Sequence, residues 1–67
     1  MKSVKELRQK MLLTQYEFAH LLGVSRTSIA SYESGFTMPS FKMIRKLIDL
    51  GKQNDVKIDA NDFFVQE

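Results

Sequence analysis

The side chains best suited to chemistry in this sequence are cationic and hydrogen-bonding, and they cluster in one short stretch. Arg26, Thr27, Ala30, Ser31 and Ser34 recur at spacings that place them on one outward face of a helix. Nothing bulky and apolar shares that face. A helix kept this lean can enter a major groove, where base edges present donors and acceptors to such side chains. The chemistry implied is recognition of DNA rather than bond making. Catalytic groupings are missing from the pattern. There is no cysteine, which removes disulfides and thiolate metal ligands, and a single histidine, His20, cannot build a zinc site. His20 shares a side with Tyr16 and Glu17 and reads as a surface residue. Glu33 has no second carboxylate or nucleophile motif around it, and no Gly-rich phosphate loop occurs. At 67 residues the chain also lacks the mass to enclose a substrate pocket. An enzyme is therefore not expected, nor a cofactor or metal.

The elements that must position these residues are short helices with marked ends. Ser3 and Glu6 have capping-box spacing ahead of a stripe of Val4, Leu7 and Met11. A second box, Thr14 and Glu17, opens a helix whose Phe18, Leu21 and Leu22 share a face. Ala19 is small enough for a following helix to pack closely, and Gly23 can take the positive φ of a sharp exit. Ser25 caps a third helix, Arg26 to Ser34, buried through Ile29 and Tyr32 and stopped by Gly35. Met38-Pro39 is a loop, because proline turns the preceding residue away from helix. Ser40 caps a fourth helix carrying Phe41, Ile44, Leu47 and Ile48. The polar run from Gly51 to Asp55 ends it and turns. Asp59 caps a short fifth helix aligning Ala60, Phe63 and Phe64, while Val56 and Ile58 alternate like a strand with nothing to pair with. The expected fold is all-α, a compact four- to five-helix bundle forming one domain over residues 1–67.

Leu13-Thr14-Gln15, Phe18-Ala19, Leu22-Gly23-Val24-Ser25, Ile29, Tyr32-Glu33-Ser34-Gly35 and Pro39 occur in an order and spacing that resembles a known family. It is the helix-turn-helix regulators of the phage repressor and Cro type, also called XRE, and the likeness runs from Leu7 to Leu50. The resemblance implies a phage-repressor-like DNA-binding domain with its motif over about 15–34 and a recognition helix in the major groove. It gives Arg26 and Thr27, with Ser31 one turn later, to base edges. Gln15, Ser28, Ser34, Thr37 and Lys42 fall to the phosphate backbone. Arg8 and Glu33 occupy positions that in some relatives form a partly buried ion pair. Two departures stand out. Ser31 is short for a second base reader and Ala30 adds no hydrogen bond, so readout leans on Arg26. Lys52-Gln53-Asn54-Asp55 intervenes where many relatives turn at once into a fifth helix.

Charge is distributed to match. Residues 1–50 carry eight lysines and arginines against four acidic residues, and residues 51–67 carry two against four. A basic body with an acidic end is compatible with holding a polyanion through one face. No apolar run approaches the roughly 20 residues of a membrane span, and no signal-peptide core stands at the start, so a cytoplasmic, nucleoid-associated protein, bacterial or phage-encoded, is expected. The expected function is that of a transcriptional regulator, a repressor, binding an inverted-repeat double-stranded DNA operator as a homodimer. Residues 56–65 are its candidate dimerisation segment, with Phe63 and Phe64 as anchors. The alternative on the same scaffold is an antitoxin that masks a toxin partner and binds DNA to regulate itself.

Overall fold

The computed structural model describes residues 2–59, which form α1 (Lys2–Lys10), α2 (Gln15–Leu22), α3 (Arg26–Ser34) and α4 (Phe41–Gln53). All regular structure among them is helical, as expected. α3 packs on α2 and α1, and α1 also touches α4. The core between them is built from Val4, Leu7, Phe18, Ala19, Leu22, Ile29, Met43, Ile44, Leu47 and Ile58. Phe18, Leu7, Ile29, Leu47 and Val4 are fully buried. Each such side chain contributes about 1.5–3 kcal/mol of transfer free energy, the main force drawing four short helices together.

All four helix ends close in one way. A single residue turns left-handed, at Leu12 (φ 59°), Gly23 (74°), Gly35 (80°) and Asp55 (59°). The next amide then donates to the carbonyl five residues back: Leu13 to Arg8 (3.2 Å), Val24 to Ala19 (3.0 Å), Phe36 to Ser31 (3.0 Å) and Val56 to Gly51 (2.8 Å). This is the closure that satisfies otherwise orphaned carbonyls at a helix end. Two of the four positions carry a side chain, which the hydrophobic pattern did not anticipate.

Several expectations are corrected. Ser3 lies inside α1 and is buried beside Val4, so it does not cap the helix. Leu21 and Phe41 are 51% and 76% exposed. With about 100° between successive residues, each sits about 110° from the centre of its helix's buried face, and Met43 takes the inward place expected of Phe41. α4 also runs past Gly51 to Gln53. Gly51 is a point of close approach: a Cβ there would lie 2.5 Å from the Val56 carbonyl oxygen. The returning chain thereby delivers Ile58 to the core without forming a strand among the described residues. The fifth helix expected from Asp59, with Ala60, Phe63 and Phe64, falls outside the described residues.

Candidate nucleic-acid interface

Two side-chain caps and one glycine set the angle between α2 and α3. Thr14 accepts from the Glu17 amide (3.1 Å) while the Glu17 carboxylate accepts from the Thr14 amide (2.8 Å), completing the capping box. Gly23 ends α2, and two residues later Ser25 accepts from the Ser28 amide (3.1 Å) to start α3. Ala19 and Ile29 are buried between the helices. α3 has nine residues, a rod of roughly 14 Å whose diameter suits the about 12 Å width of a major groove.

A chain of hydrogen bonds ties this motif to α1. Arg8 grips Glu33 with both arms of its guanidinium, Nε to Oε2 at 2.6 Å and Nη2 to Oε1 at 3.1 Å. Its third nitrogen donates to the Leu13 carbonyl (3.0 Å), which anchors the loop leading into α2. Gln15 Nε2 donates to Glu33 Oε1 (3.1 Å). An ionised carboxylate only accepts, so it takes the amide nitrogen of Gln15 and turns the amide oxygen outward. That oxygen accepts from Arg26 Nη1 at 3.3 Å, and the Arg26 guanidinium carbon lies over the Tyr16 ring, 5.2 Å from its centroid.

The inner pair is nearly dry, with side chains 14% and 7% exposed for Arg8 and Glu33. Burial pushes the Glu33 carboxyl up, but hydrogen bonds from Arg8 and Gln15 and the charges of Arg8 and Lys5 outweigh it and hold the group below the usual carboxylate range. The hydrogen bond to Glu33 raises Arg8 further, against the opposing effect of burial.

The residues given to DNA distribute as follows. Arg26, Thr27 and Ser34 are exposed along α3, and Ser31 is half-buried on the same helix. Ser28 is half-buried, and its hydroxyl lies 3.1 Å from that of Ser25, inside the cap. Ser34 Oγ donates to the Ser31 carbonyl (3.1 Å) at the end of α3. Thr37 is exposed in the loop beyond, its amide donating to the Ser31 carbonyl (3.4 Å), and Lys42 is exposed in the first turn of α4. Gln15 is half-buried and, together with Arg26, belongs to the chain starting at Arg8. Sequence reasoning missed Tyr16 as a neighbour of Arg26, because a residue pair ten positions apart on two helices leaves no periodic trace. Phe36, Met38 and Phe41 ring the loop after α3 with exposures of 84%, 50% and 76%.

Among the described residues no group of three or more His, Cys, Asp or Glu is placed to hold a metal ion, and no helix is long and apolar enough to cross a membrane. Comparison with known proteins finds a family model, helix-turn-helix, matching residues 4–50. Over 43 residues, 64% of this chain, the sequence is 44% identical to a protein named Antitoxin PezA from Streptococcus pneumoniae serotype 4. The chain spans about a quarter of that relative, 27% of its length. No solved structure matches.

Proposed function

The chain belongs to the helix-turn-helix family, in its XRE branch, and from that premise we propose that it represses transcription by laying α3 in the major groove of an inverted-repeat operator. Family membership makes it a DNA-binding transcriptional regulator. The observation that carries the finer reading is the exposed face of α3, where Arg26 and Thr27 are open to solvent at the start of a capped helix. Arg26 reads a guanine edge with its paired donors, and Thr27 and Ser31 add shorter contacts. Gln15, Ser28, Ser34, Thr37 and Lys42 hold phosphates on either side, helped by the free amides at the starts of α2 and α3.

One domain over residues 1–67 offers too few base contacts to compete with bulk genomic DNA. We therefore assign the active form as a homodimer, reading two half-sites about 10 bp apart, or a multiple of that. Most of the candidate dimerisation segment 56–65 lies outside the described residues. Binding weakens steeply with salt as phosphate contacts release counterions. The test is selection of bound duplexes from random DNA, followed by sedimentation of the complex. Two chains on an inverted repeat support the proposal, and one chain on an asymmetric site overturns the dimer.

A second reading rests on the 44% identity to a protein named an antitoxin. On it, the same DNA-binding domain autoregulates a gene pair, and a toxin is the protein partner. A toxin-like reading frame beside the gene, with a product that co-purifies with this chain, would favour it.

A further inference from the structure

We propose that Tyr16 is a positioning residue for DNA recognition, its ring holding the Arg26 guanidinium ordered before DNA arrives. The proposal rests on the reading of Arg26 as the principal base reader. Tyr16 is 72% exposed, so its ring contributes little to the core and its place needs another account. The geometry supplies one. Arg26 lies over the ring at 5.2 Å from the centroid, within the range where the quadrupole of an aromatic face attracts a guanidinium. Gln15 restrains the same group from a second direction through one Nη1 hydrogen bond of 3.3 Å. Of the five N–H donors on an arginine, the others make no hydrogen bond among the described residues and remain for a base edge.

The effect acts through entropy. A free arginine loses most of its rotamer freedom when it docks on guanine, and a side chain already confined on a ring loses less. A ring face is indifferent to the phenol hydroxyl, so phenylalanine does the same job. Exposed arginine–aromatic contacts of this kind correspond to about a two- to five-fold change in affinity. Because it works through a base-reading group, that change falls on operator DNA and spares scrambled DNA.

The experiment measures affinity by anisotropy for a duplex selected from random DNA and for its scrambled counterpart. Wild type is compared with Tyr16→Phe, Tyr16→Ala, Arg26→Ala and the Tyr16→Ala, Arg26→Ala double variant, each shown to be folded by its thermal melt. Expected is a two- to five-fold fall (about, from the same contact strength) in the operator-to-scrambled ratio for Tyr16→Ala. Tyr16→Phe keeps the wild-type ratio, and Tyr16→Ala has no further effect once Arg26 is gone. A ratio lowered by Arg26→Ala but untouched by Tyr16→Ala overturns the proposal and leaves the reader in place. Equal losses on both duplexes for Tyr16→Phe and Tyr16→Ala overturn it in favour of a phenol on a phosphate. A ratio untouched by Arg26→Ala removes the reader itself, and the positioning role falls with it.

Discussion

Arg8 and Arg26 reach the same Glu33–Gln15 pair from opposite ends, and solvent gives them opposite roles. Arg8 is largely buried, spends all three nitrogens on Glu33 and Leu13, and closes α1 onto the end of α3. Arg26 is exposed and makes one long hydrogen bond and one ring contact. A charge that is paired in a dry site is costly to orphan, whereas an exposed charge is already solvated and gives up little when removed. The inner end therefore governs whether the motif keeps its shape, and the outer end governs what it reads.

The sharpest way to break this contrast is Arg8→Met. It leaves Glu33 without its main partner and is expected to destabilise the fold by about 3 kcal/mol. Adding Glu33→Leu removes the stranded charge and should restore much of the loss, so a double variant equal to the sum of its singles would deny the coupling. The same pair gives the fold an acid limit. Because the Glu33 pKa is lowered in the folded state, its contribution is full above the unfolded carboxyl value, about 4.3. It fades as pH falls through the depressed folded value. Urea melts of wild type should weaken across that acid window, and the double variant should show a shallower decline.

Next in size is Gly23→Val, which tests the joint between the two ends. Nothing lies within 4 Å of a Cβ there, so the penalty comes mainly from the backbone conformation, about 2 kcal/mol for a β-branched residue at φ 74°. An unchanged melting temperature would mean that the turn between α2 and α3 is not closed as described. Leu12→Gly should act in the opposite sense. Leu12 is 89% exposed and left-handed, so glycine relieves strain without losing burial. A gain of about 0.5–1 kcal/mol is expected in thermal melts, reduced by the freer unfolded chain.

What could be read from the sequence follows the same division. Thr14 with Glu17, Gly23, Ser25, Gly35 and Ser40 carry their structural roles in their own side chains or lack of one, and α2, α3 and the start of α4 lie where those residues put them. Leu12 and Asp55 close their helices just as the glycines do, but a leucine does not announce a left-handed turn and an aspartate favours one only weakly. At Leu12 a side chain adds to the closure: the Arg8 guanidinium donates to the Leu13 carbonyl, a contact that leaves no trace in the hydrophobic pattern. Leu21 and Phe41 are apolar yet exposed, because each lies about 110° from the centre of its helix's packed face and apolar character alone does not fix burial. In the candidate interface the exposure of Arg26 and Thr27 followed from the pattern. The bridge through Gln15 and the stack on Tyr16 required three dimensions, because they join residues eighteen, eleven and ten positions apart on separate helices.

Arg26→Ala has the smallest expected effect on folding, within about 0.5 kcal/mol for an exposed residue outside the core, and the largest on recognition. That separation is the central claim, and one measurement tests it directly: the affinity of wild type and Arg26→Ala for a selected operator and for its scrambled sequence, with a thermal melt of each protein. The account predicts an unchanged melt and an operator-to-scrambled ratio reduced roughly 5- to 150-fold, the discrimination of one good arginine–guanine pair. An unchanged ratio with an intact fold would contradict it.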